Sequence, residues 1–221
     1  MMRVSRVQTF EKAQMARHVD YYFSLSSPWA YIGNAPFHAA VRPFGVTIAY
    51  KPVPLGDVFS ETGGLPLPKR HPARQRHRMF ELQRWRERRG LKFVLKPKFW
   101  PVNAALADGV VIAIVQSGRS PEGFLARAFP AIWEEERNLA EADVLRDIAD
   151  AAGLPGADLV AKASSVEVTQ RYAQNQREAV EAGAFGSPAF VLDGEVFWGQ
   201  DRIDFLADAL KSGRAPYRAE I

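Results

Sequence analysis

Between Val19 and Gly33 the chain reads VDYYFSLSSPWAYIG: an aromatic-rich apolar run, small hydroxyl residues, a proline, then the start of a helical pattern. A strand feeding directly into a helix aims several backbone N–H groups and one side chain at a single spot, a geometry that serves an anion or a nucleophile. The side chain at that spot is Ser27, followed by Pro28 at the first helical position. The chain holds no cysteine, so disulfides, thiolate metal sites and cysteine nucleophiles are excluded. The other chemical resource is charge. Lys69–Arg89 carries nine Lys or Arg against two acids, Glu81 and Glu87, whereas the whole chain is only +4. Such a segment can line a pocket for a small acidic ligand, hold nucleic acid, or be a solvated helix face. Only Phe80 and Trp85 interleave its charges and no nucleic-acid motif is present, so no nucleic-acid partner is expected.

Those residues need a scaffold. Val19–Phe23 reads as a strand, Pro28–Arg42 as a helix kinked at Pro36, and Val46–Val53 as a second strand, which makes a βαβ unit with parallel pairing. Leu55–Pro72, rich in Gly and Pro, reads as a loop. Pro72–Gly90 is a basic helix with a narrow apolar stripe of Met79, Leu82 and Trp85, and Phe93–Trp100 is irregular. Asn103–Gly118, Pro121–Glu136, Glu141–Ala152 and Val166–Gly183 read as helices, with a break at Gly153–Gly156. Pro188–Leu192 and Glu195–Trp198 flank Asp193-Gly194, a hairpin signal, and Arg202–Lys211 is a last helix ended by Gly213. The order βαβ, helices, ββα predicts an α/β chain: a thioredoxin fold with an all-helical insertion domain. The expected divisions are an N-terminal extension (1–18), a thioredoxin-like domain (19–54 and 184–213) and the insertion (55–183).

The 221 residues are 47 % apolar and 24 % charged, as in soluble globular proteins. No run of 18 apolar residues exists, so neither a spanning helix nor a membrane partner is expected. The basic start, MMRVSRVQTFEKAQMARH, lacks a secretory apolar core. It reads as a frayed tail, with a transit peptide as the alternative, and a cytoplasmic location is expected.

Ser27-Pro28-Trp29-Ala30-Tyr31-Ile32-Gly33 resembles the active-site corner of thioredoxin-fold disulfide oxidoreductases, with Ser27 and Ala30 where the two cysteines would stand. The Ser-Pro form more closely resembles 2-hydroxychromene-2-carboxylate isomerases and the related kappa-class glutathione transferases. Ser27-Pro28, Thr62-Gly63-Gly64, Pro72-Ala73-Arg74, Phe185-Gly186-Ser187-Pro188 and Phe197-Trp198-Gly199-Gln200-Asp201-Arg202 carry the resemblance, in that order, from about Val19 to Leu210. It implies glutathione as the cofactor, with Ser27 catalytic as the partner of its thiol. The Ser187–Pro188 bond is then cis, exposing the backbone of Ser187. Gln200 and Asp201 receive the γ-glutamyl end, Arg74 faces the anionic ligand, and Gly64 stands where the family often has asparagine. Each has a plainer reading alone: Ser27 and Asp201 as helix caps, Arg74 as a solvated arginine. Trp29 and Tyr31, with Phe99 and Trp100, are candidates for an aromatic wall, against a default of core packing.

The resemblance implies a glutathione-dependent cis–trans isomerase acting on a small aromatic acid, 2-hydroxychromene-2-carboxylate or a related intermediate of aromatic degradation, and a homodimer. Two alternatives stand beside it: a kappa-like glutathione transferase, and a non-catalytic, redox-dead thioredoxin-fold binding module. No metal site is expected.

Overall fold

The computed structural model describes residues 17–219, so most of the expected N-terminal extension lies outside the described residues. The first strand, β1 (His18–Phe23), runs into helix α1 (Pro28–Val41), which continues through Pro36. A 3-10 turn and Gly45, at φ 59°, reverse the chain into β2 (Thr47–Pro52). β2 pairs parallel with β1, placing Tyr21 beside Tyr50. The other edge of β1 takes β3 (Ala189–Leu192) antiparallel, with Val19 opposite Leu192. A hairpin then leads to β4 (Glu195–Trp198). Asp193 and Gly194 have φ of 53° and 85°, the left-handed pair that a two-residue turn of this twist requires. The sheet order is β2–β1–β3–β4, the thioredoxin arrangement.

Aromatic residues knit the sheet to the layer above it. Phe37 of α1 stacks on Phe190 at 4.4 Å and lies 4.8 Å from Tyr21, while Tyr21 stacks on Phe190 at 5.1 Å. The last helix, α9 (Ile203–Ser212), packs beside α1 and ends at Gly213 in the left-handed region.

Seven helices stand between β2 and β3 among the described residues: α2 (Leu55–Thr62), α3 (Pro72–Arg89), α4 (Ala105–Gln116), α5 (Glu122–Trp133), α6 (Ala142–Ala151), α7 (Gly156–Lys162) and α8 (Val166–Glu181). Two of them correct the sequence reading. Leu55–Pro72 was expected as a loop, yet it opens with α2. Val58 is buried, Thr62 Oγ1 donates to the Val58 carbonyl at 2.6 Å, and Gly63 at φ 77° stops the helix. One buried anchor suffices for two turns, even beside Gly56. The break at Gly153–Gly156 leads into α7, where Gly156 N–H donates to Asp150 Oδ1 at 2.8 Å.

α4 is the centre of the insertion, with Ala107, Val110, Val111 and Ile114 fully buried. Its approach to α7 is set by Gly109: a Cβ there would lie 2.4 Å from the Ala163 carbonyl oxygen. That neighbour is backbone and cannot swing aside. Gly109→Ala is therefore expected to lower stability by roughly 1–3 kcal/mol through overpacking, read as a lower urea midpoint with an unchanged m-value. An unchanged midpoint would show that α7 is free to shift.

Candidate functional site

The corner between β1 and α1 is buried, and Ser27 is 3 % exposed. Its hydroxyl oxygen accepts from Ala30 N–H at 3.2 Å, the expected helix cap. Its proton is donated to the Ser187 carbonyl at 3.0 Å. Ser187 returns the contact, its hydroxyl accepting from Ser24 N–H at 3.1 Å. The Ser187–Pro188 bond is cis, as the resemblance implies. Thus strand end, helix start and the turn before β3 meet where expected, but the Ser27 proton is already engaged. In the first turn of α1, Trp29 N–H has no partner among the described residues.

A cavity of about 330 Å³ opens beside this corner, lined by Trp29, Arg70, Ser187, Gln200, Asp201 and Arg202 among others. Four of the sequence-predicted residues other than Ser27 are therefore together: Trp29, Ser187, Gln200 and Asp201. Gln200 is buried, its side-chain oxygen accepting from Arg89 Nη2 at 3.2 Å. Asp201 pairs with Arg202 at 2.7 Å and stays exposed. Gly199, at φ 106°, turns the chain between β4 and these two residues.

Three predicted residues lie elsewhere. Tyr31 is a core residue: its ring stacks on Phe93 at 5.5 Å and Trp133 at 6.4 Å, and its hydroxyl donates to Glu134 at 2.5 Å. Tyr31 stands two residues along α1 from the cavity-lining Trp29, and at about 100° per residue its side chain leaves the far side of the helix. Arg74 is exposed and does not line the cavity, whereas Arg70 does. Gly64 does not line it either; a Cβ at Gly64 would come within 2.6 Å of the Phe59 ring. Its small size serves a packing contact.

The guanidinium groups were legible as a basic segment but not individually. Burial, then Arg74 nearby, lowers the pKa of Arg70. Burial, then Arg70, brings Arg78 down to about 10. Neither side chain pairs with a carboxylate among the described residues. Arg78 lies over the Trp100 ring at 5.0 Å, and Trp100 Nε1 donates to the Ser26 carbonyl at 3.0 Å. Unpaired cations held close together favour an anionic ligand.

Sequence reasoning missed Asp108. It is fully buried, the one charged residue of α4. Leu25 N–H donates to its Oδ1 at 3.0 Å, while Ser24 Oγ at 3.0 Å and Tyr172 Oη at 2.8 Å donate to Oδ2. Burial pushes its pKa up to about 7 against the opposing effect of these donors. The signal was a lone acid within an otherwise apolar helix, a pattern that asks for buried partners.

A family model for the DSBA-like thioredoxin domain matches residues 18–211. The chain belongs to that family. Within it, the chain is 27 % identical over 198 residues to a 2-hydroxychromene-2-carboxylate isomerase of Sphingobium xenophagum, covering 89 % of this chain and 99 % of that protein. It is 26 % identical to the enzyme of that name from Pseudomonas putida, covering 87 % and 93 %. The solved structure of a 2-hydroxychromene-2-carboxylate isomerase superposes with a TM-score of 0.73 at 25 % identity, covering 88 % of this chain and 95 % of that one.

Two outcomes are expected of this DSBA-like chain. Gly64→Asn should destabilise the chain, because Phe59 blocks the new side chain; a raised melting temperature would contradict this. Asp108 has a folded pKa near 7 against roughly 3.9 when unfolded. Its neutral form is therefore favoured by folding, and that stability, present below about pH 4, is lost as pH rises through about 7. Asp108→Asn lacks this loss. Between pH 5 and 8 the stability difference should move in favour of the variant by on the order of 2 kcal/mol, measured by thermal or urea unfolding. A pH-independent difference would show that Asp108 does not titrate there.

Proposed function

We propose that this protein is an isomerase of the 2-hydroxychromene-2-carboxylate type that borrows its thiol from glutathione. The observation that carries the reading is a thioredoxin corner without sulfur: Ser27 at the α1 cap, 3.0 Å from the carbonyl of Ser187, beside an arginine-lined cleft. The relatives of that name, matched over most of their length, support the isomerase and aromatic degradation.

The residues suit glutathione in kind. A tripeptide with two carboxylates and one ammonium group would meet Arg70 and Arg202, and Asp201 and Glu81, all lining the cleft. Its role when bound is to supply a thiolate that adds reversibly to an activated double bond, leaving a single bond free to rotate. The chain's part is to hold and tune. The α1 N-terminus favours negative charge near the corner by roughly 0.3–1 kcal/mol or more when partly buried, and Trp29 N–H is a donor without another partner among the described residues. Ser27 can serve a thiolate only by rotating its hydroxyl away from the Ser187 carbonyl, so in this reading it is both latch and donor. Trp29, half-buried at the rim, offers the flat face against which an aromatic acid packs. Arg70 stands for a substrate or cofactor carboxylate, with Arg78 nearby adding positive charge.

Isothermal calorimetry with glutathione is the direct test. Binding to the wild type is expected, with up to roughly tenfold weaker binding in Ser27→Ala if one polar contact is lost. The cap loss should cost only about 1 kcal/mol of stability. Wild-type affinity and wild-type turnover in Ser27→Ala would remove the role assigned to that residue. Without cysteine, no insulin-reducing activity above the dithiol background is expected, and its appearance would contradict the borrowed-thiol reading.

A further inference from the structure

Asp108 stands outside the cleft but is joined to the corner by a line of hydroxyls. Its Oδ2 accepts from Ser24 Oγ at 3.0 Å, and Ser24 Oγ is in turn 3.0 Å from Ser26 Oγ. Ser26 is half-buried and adjoins Ser27 in the chain, whereas Asp108 has no exposed surface. The line is therefore a route by which a proton can reach a carboxyl group that water does not touch. No cation among the described residues neutralises that group. Among the described residues its polar surroundings are Ser24, Leu25 and Tyr172, with Asp57 of α2 acting on Tyr172 from behind. The other elements packed on α4, which are α6, α7 and β2, bring no charged group to it.

We infer that Asp108 is a positioning residue that takes up, through the Ser24 and Ser26 hydroxyls, the proton released by a thiol bound at the Ser27 corner. The inference rests on the glutathione reading above. The thiol proton passes to Ser26 Oγ while the Ser26 proton passes to Ser24 Oγ and the Ser24 proton to Asp108 Oδ2. Each hydroxyl finishes with one proton. A thiol and a carboxylate become a thiolate and a carboxylic acid, with one negative charge before and after. Electrostatics drives the exchange in that direction: two negative charges close to one buried corner disfavour each other, so the arrival of one draws a proton onto the other. The neutral Asp108 keeps its acceptor oxygen for Leu25 N–H, so the corner stays in place while its charge moves outward. Reversal returns the proton to the departing thiol.

Asp108 must be ionised before the thiol binds. Proton retention should thus grow as pH rises through about 7, where Asp108 ionises. The test is proton counting on glutathione binding at pH 7.5, by calorimetry in phosphate and in Tris, with thiolate formation followed at 240 nm. Asp108→Asn is expected to release close to one proton per thiolate formed, and the wild type less than about half as many. Equal release from both, with thiolate formed, overturns the role of Asp108 and leaves the glutathione reading standing. Absence of both heat and thiolate band overturns the glutathione reading and this inference with it. Should Asp108→Asn fail to fold, Tyr172→Phe decides: loss of a donor to the ionised carboxylate shifts the onset of proton retention to higher pH. An onset at the wild-type pH would overturn the inference.

Discussion

The backbone that turns from β1 into α1 is buried, and its N–H groups must find acceptors without water. Ser24 N–H goes to the Ser187 hydroxyl, Leu25 N–H to Asp108, and Ser27 N–H to the Ser24 carbonyl. Two of these three acceptors come from distant parts of the chain: the turn before β3 and the first turn of α4. The sheet domain and the helical insertion are therefore fastened to each other at the site itself. A change in how α4 sits is transmitted to the corner through a single carboxylate, and a change in the β3 turn through a single serine.

This arrangement explains how a redox scaffold can be kept without redox chemistry. A thiol–disulfide site needs two sulfurs at the helix start. Here Ser27 takes the first position and uses its hydroxyl as a bridge to Ser187, while Ala30 fills the second and only buries. What survives is the part of the scaffold that does not depend on sulfur: the end of a helix dipole, a cis turn opposite it, and a cationic rim. Those parts act on charge rather than on sulfur.

Much of this was legible in the sequence, for reasons specific to each element. Ser27-Pro28 marks a helix start because one residue caps and the next cannot donate. Asp193-Gly194 marks a hairpin because two successive residues must adopt positive φ. Such signals are local and need no knowledge of the packing. Arg70 against Arg74, and Trp29 against Tyr31, were not legible, since the choice depends on which helix face meets a neighbour. The two arginines are four residues apart on either side of the start of α3, so composition treats them alike. Gly64 was legible as a glycine in a turn-rich stretch but not as a contact with Phe59, which a linear pattern does not display. Asp108 needed the assembled core before its partners became visible.

The β1–β3 pairing, Val19 opposite Leu192, joins residues from nearly opposite ends of the chain. Bringing such ends together costs conformational entropy that grows only slowly with length, about 0.6 kcal/mol per doubling, so the insertion burdens final stability little. Its effect falls on the order of events. The central strand waits for its neighbour until the intervening helices have collapsed and drawn β3 within reach, because non-local pairing is repaid only after the loop has closed. The corner between β1 and α1, which needs Ser187 and Asp108 at once, is then among the last features of the molecule to form.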